Sequence, residues 1–150
     1  MKKALTVLLS IICVAILFSA CSSSENVDAV KDVDVDLTGM SQTMIYAEVN
    51  NMCIKPEDYM DKKVKIKGNF SRFETEDGKV YYSCVIPDAT ACCQQGLEFV
   101  TKKEMKDEEL PKEGEEIEVV GTFTTYNEGE MKYIQIKDSI MNVVKTDEKK

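Results

Sequence analysis

The chain has 150 residues, 27 acidic and 19 basic, a formal net charge of −8, and neither histidine nor tryptophan. The acidic balance repels phosphate backbones and anionic headgroups, so nucleic acid is a poor partner and a cation, a basic protein or a neutral ligand fits better. Without histidine there is no Ser-His-Asp triad, no Cys-His pair and no imidazole-ligated zinc, and without tryptophan the case for a carbohydrate platform is weak.

Met1-Lys2-Lys3 opens the chain, and residues 4–18 are almost wholly apolar. This core is shorter than the ~20 residues that span a bilayer, and small residues follow it, the layout of a cleavable signal. Leu17-Phe18-Ser19-Ala20-Cys21 resembles the lipobox of bacterial lipoproteins. The resemblance implies a signal peptide over residues 1–20, acylation of Cys21, and a mature chain anchored by lipid to the outer face of the cytoplasmic membrane. An ordinary secretory signal with a chance cysteine is the alternative, and it too places the chain outside the cytoplasm. Loss of Lys2 and Lys3 takes the net charge to −10.

Residues 21–37 read as an acidic, solvated tether, with Asp28, Asp32, Asp34 and Asp36 spaced along it. Residues 38–145 read as one domain and 146–150 as a charged tail. Residues 38–52 carry a helical pattern, capped by Thr38 or Ser41, with Met44, Ile45, Val49 and Met52 on one face. Pro56 starts a short second turn. Beyond it the pattern has period two. Val64, Ile66 and Phe70 alternate with lysines around Gly68, and Ile117, Val119 and Phe123 repeat the template around Gly121. A glycine inside a strand marks a bend or bulge, which lets one strand serve two sheets. Further strands are predicted over 80–86, 96–100 and 131–137, the last after the hairpin signal Asn127-Glu128-Gly129-Glu130. Residues 102–112 read as a loop or a frayed turn. Tyr81, Tyr82, Tyr126 and Tyr133 could line one face, although packing explains them as well.

Five strands with bent first and fourth members predict a mainly β fold, a five-stranded OB-like barrel with an N-terminal helix. Residues 57–138 resemble the OB modules related to the tRNA-anticodon-binding-like family. The residues that carry the likeness are Tyr59-Met60-Asp61-Lys62-Lys63-Val64-Lys65-Ile66-Lys67-Gly68 and residues 113–123. The stacking aromatics and arginines of single-strand binders are missing.

Six cysteines are present; Cys13 leaves with the signal and Cys21 takes the lipid. Cys84 falls on the second strand, and Cys92 and Cys93 fall where the chain returns for the third. In a tight hairpin Cys84 would face residue 92 or 93. Three readings follow. Cys84, Cys92 and Cys93 could hold zinc or copper as thiolates, with Asp88 as a fourth ligand. Cys84 could instead form a disulfide with Cys92 or Cys93, and Cys53 reads as buried or as an occasional partner. Thiol-disulfide exchange ranks third, because no Cys-x-x-Cys opens a helix.

Asp88-Ala89-Thr90-Ala91-Cys92-Cys93-Gln94-Gln95-Gly96 is similar to a pattern in uncharacterised lipoproteins of anaerobic Gram-positive bacteria. The stretch also resembles the C-terminal domain of YcgQ-type membrane proteins. The likeness to the YcgQ-type proteins, which accompany a permease, implies metal handling. The expectation is a non-enzymatic binding module, anchored to the membrane through Cys21, with a thiolate metal site. The alternative is a disulfide-pinned domain that docks on an envelope or membrane protein.

Overall fold

The structure, a computed structural model, describes residues 26–87 and 93–144. They form β1 (Val35–Asp36), α1 (Gln42–Ile54), β2 (Lys63–Glu74), β3 (Val80–Pro87), β4 (Gln94–Thr101), β5 (Glu116–Glu128) and β6 (Met131–Val143), with 3-10 turns at Val27–Ala29, Pro56–Asp58 and Asp107–Glu109. The fold is mainly β. No described helix is long and apolar enough to cross a membrane.

Five strands close a ring. β2 pairs antiparallel with β3 and β3 with β4, β4 runs parallel to β6, and β5 pairs antiparallel with both β6 and β2. The short β1 adds parallel to the start of β2 as a sixth strand. Period-two alternation sets the faces: Val64, Ile66 and Phe70 of β2 point inward with Cys84 and Ile86 of β3, Leu97 and Phe99 of β4, Ile117, Val119 and Phe123 of β5, and Ile136 of β6.

Two of the strand glycines, Gly68 and Gly121, sit at the tightest points of the ring. β2 bonds to β5 from Lys63 to Asn69 and to β3 from Asn69 to Glu74, so it changes partners just past Gly68. A Cβ on Gly68 would stand 2.8 Å from the Val85 carbonyl oxygen. One on Gly121, where the β5–β6 register shifts, would stand 2.7 Å from the Lys137 carbonyl oxygen. Only a residue without a side chain lets the backbones approach this closely.

α1 starts at Gln42, later than the sequence pattern suggests. Ser41 caps it, its Oγ accepting from the Met44 N–H, while Thr38 instead donates its hydroxyl and N–H to the Asp36 carboxylate at 2.7 and 2.9 Å. Ile45, Val49 and Met52 are buried, whereas Met44, expected beside them, is exposed. A four-three spacing defines the buried stripe, and Met44 falls outside it. The helix packs on β3 and β4, and the Gln95 side-chain amide donates to Asn50 Oδ1 at 3.0 Å.

The acidic stretch departs further from expectation. Residues 26–37 are not a solvated spacer: Val27 and Leu37 are fully buried, Val35–Asp36 pairs with β2, and the Lys63 N–H donates to the Asp34 carboxylate at 2.7 Å. Val33-Asp34-Val35-Asp36-Leu37 alternates with period two, and its apolar members supply the packing that the aspartates seemed to forbid.

Candidate functional site

The cysteines do not assemble as a tight hairpin would place them. Cys84 lies opposite Leu97, and Pro87 opposite Gln94, so Cys93 sits four positions beyond the partner of Cys84. At strand spacing that is about 13 Å along the hairpin. Cys84 faces the core, fully buried, and Cys93 is exposed. Burial pushes the Cys84 thiol up to about 12. Cys84 and Cys53 carry free thiols, Cys53 exposed on α1. Cys21, Asp88 and Cys92 lie outside the described residues. Among the described residues no three Cys, Asp or Glu side chains group to hold a metal ion. An inward, protonated thiol opposite a leucine does not fit the expected thiolate set.

A different constellation stands at the tips of the two long hairpins. The β2–β3 hairpin places Phe73 opposite Tyr81, and the β5–β6 hairpin places Tyr126 opposite Tyr133. Each hairpin thus carries an aromatic cross-strand pair close to its turn. Between the tips the outer face of the ring is floored by Ser83 and Glu98, which are register partners on β3 and β4. The resulting cleft encloses about 630 Å³, a volume in the range of small-molecule sites.

Polar contacts tie the walls together. The Tyr126 hydroxyl donates to Glu98 Oε2 at 2.6 Å, and the Tyr81 hydroxyl donates to Glu128 Oε1 at 2.9 Å. Lys79 Nζ donates to the same Glu128 oxygen at 3.0 Å, so the two hairpins are bridged across the mouth. The Tyr126 and Tyr133 rings stack with centroids 5.4 Å apart. Phe73 is 63% exposed and Tyr133 39%, which leaves apolar surface at the rim.

Burial holds the Glu98 carboxyl above the ordinary glutamate range; the nearby Glu128 charge adds to this and the Tyr126 hydroxyl opposes it. Glu128, bonded by Lys79 and Tyr81, is held low instead. Burial, then the Glu98 bond, raise the Tyr126 hydroxyl. The site therefore pairs one poorly solvated carboxylate with one fully compensated carboxylate, between aromatic walls.

A second cleft of about 630 Å³ lies between the Val27–Ala29 turn and β6, lined by Asn26, Asp28, Glu118, Met141 and neighbours, without an aromatic wall. The four tyrosines singled out in the sequence divide. Tyr82 faces inward against Phe70 and Phe99, and the other three line the hairpin cleft. Phe73, Lys79, Glu98 and Glu128 were not foreseen. The signal available was parity: Tyr126 and Tyr133 lie at equal distances from Gly129-Glu130, which makes them cross-strand partners.

Comparison with protein-family models and with curated proteins returns no match for this chain.

Proposed function

We propose that this protein is a non-enzymatic binding module, anchored by lipid at Cys21 on the outer face of the cytoplasmic membrane, whose ligand site is the cleft between the β2–β3 and β5–β6 hairpins. The observation that carries the reading is that cleft, with its two aromatic pairs and the half-buried Glu98 on its floor. The ring order β2-β3-β4-β6-β5, with β4 and β6 parallel, supports an OB-like barrel. OB-folds take ligands on the sheet face between two hairpin loops, and here those loops lead into Lys79 and Glu128. The fold name supplies no ligand, so the ligand is argued from the walls alone. The thiolate reading loses support with Cys84, which stays in the core.

Two measurements test this. Mass analysis of the membrane-bound protein should find the N-terminal peptide acylated on Cys21, and the acyl mass should vanish in Cys21→Ser. Compounds that raise the melting temperature of the mature protein should lose that effect in Tyr133→Ala and keep it in Ile54→Ala, a change on an exposed residue of α1. Equal responses in both variants would move the site elsewhere.

A further inference from the structure

Resting on that reading of the cleft, we infer that its ligand is a small organic ammonium ion with an apolar or aromatic body, whose charged nitrogen sits against Glu98. The inference begins with an imbalance. Glu98 is half-buried on the floor of the cleft, and among the described residues no lysine or arginine pairs with it. Its hydrogen bond comes from the neutral Tyr126 hydroxyl. A carboxylate taken partly out of water without a counter-ion is costly, and a cation delivered to it recovers that cost. The cation that lines the cleft, Lys79, is engaged at the mouth by Glu128.

The walls select the rest of the ligand. The stacked Tyr126 and Tyr133 rings present π-faces that attract a cation and pack an apolar body. Phe73 adds exposed apolar surface on the opposite wall. Asp77, Glu98 and Glu128 outnumber Lys79 among the charged groups that line the cleft, so an anion meets net repulsion. The enclosed volume of about 630 Å³ suits a small molecule entered whole.

The test is calorimetric titration of the mature protein in detergent with three near-isosteric probes: 2-phenylethylammonium, 2-phenylethanol and phenylacetate. A fourth probe, N-acetyl-lysine methylamide, stands for a protein lysine. The expected result is binding of 2-phenylethylammonium at least roughly tenfold tighter than of the alcohol, with phenylacetate weakest and the lysine probe no better than the amine. In Glu98→Gln, the preference for the cation over the alcohol should disappear. In Tyr133→Ala, which alters an exposed side chain, every probe that binds should weaken. If the amine and the alcohol bind alike and both weaken in Tyr133→Ala, the cleft is a site but the ammonium assignment is overturned. Tighter binding of the lysine probe overturns the small-molecule assignment. If no probe binds, or binding ignores both variants, the cleft reading falls with it.

Discussion

The Tyr126 hydroxyl donates to the Glu98 carboxylate at 2.6 Å, across from β5 to β4, strands that are not neighbours in the ring. This bond ties the β5–β6 hairpin to the floor of the cleft. It also keeps in a fixed position a carboxylate whose charged form burial disfavours, so the site is organised before a ligand arrives.

The first prediction concerns the pH dependence of Glu98. Its carboxyl is raised in the folded state, so the folded protein holds its proton more firmly than the unfolded chain. Stability from this group is therefore present at low pH and falls as pH rises from the ordinary glutamate range through the raised value. Glu98→Gln removes the dependence. The melting temperature of the variant relative to the parent should be higher at pH 7 than at pH 4. A difference that does not change with pH would contradict the burial of this charge.

Gly68 and Cys84 set the second. A Cβ on Gly68 would stand 2.5 Å from Ile86 Cδ1 and 2.8 Å from Cys84 Sγ, besides its clash with the Val85 carbonyl. Gly68→Ala should lose about 1–3 kcal/mol in denaturant unfolding, since backbone as well as side chains must move. Gly96→Ala is the control: its Cβ would meet Ser83 Cβ at 3.6 Å, an ordinary contact, and its cost should stay within about 0.5 kcal/mol.

Thiol chemistry gives a third. Cys84 is buried and its thiol raised, whereas Cys53 is exposed. Alkylation of the native protein should mark Cys53 and leave Cys84 untouched until unfolding. Cys84→Ser should cost about 1–3 kcal/mol, because it buries a hydroxyl among Leu97, Ile86 and Gly68. Rapid native labelling of Cys84 would show that the core face of β3 opens.

The mouth of the cleft provides the fourth. Lys79 and Glu128 are both exposed, so their ion pair adds little to stability. Lys79→Gln should leave the melting temperature nearly unchanged. It should also free Glu128 and tighten 2-phenylethylammonium binding, most clearly at low salt. Weaker binding in Lys79→Gln would mean that the bridge shapes the site rather than competes with the ligand.

How much of this was legible in the sequence depends on the interaction involved. The paired templates around Gly68 and Gly121 announced bent strands, because a mid-strand glycine between alternating apolar residues has few other uses. The packing of Val27 and Leu37 was hidden because their aspartate neighbours dominate a composition-based reading, although the alternation was present. The Cys84–Cys93 juxtaposition failed on register. It assumed a short hairpin, whereas β3 and β4 stay paired to Pro87 and Gln94, and a four-residue difference in register decides whether two thiols meet. The cleft was hardest to see. Its residues come from both hairpins and from β4, and the parallel pairing of β4 with β6, distant in sequence, brings Glu98 beside Tyr126.

The most direct test of the central claim is an NMR pH titration of the Glu98 side-chain carboxyl carbon, with and without saturating 2-phenylethylammonium. The titratable groups that line the same cleft are Glu128, Asp77, Lys79, Tyr81, Tyr126 and Tyr133, so the signal is assigned through Glu98→Gln. In the free protein the midpoint should lie above the ordinary glutamate range, and the bound cation should draw it down. A midpoint in the ordinary range, or one that the amine leaves unmoved, would contradict the placement of a cation against Glu98.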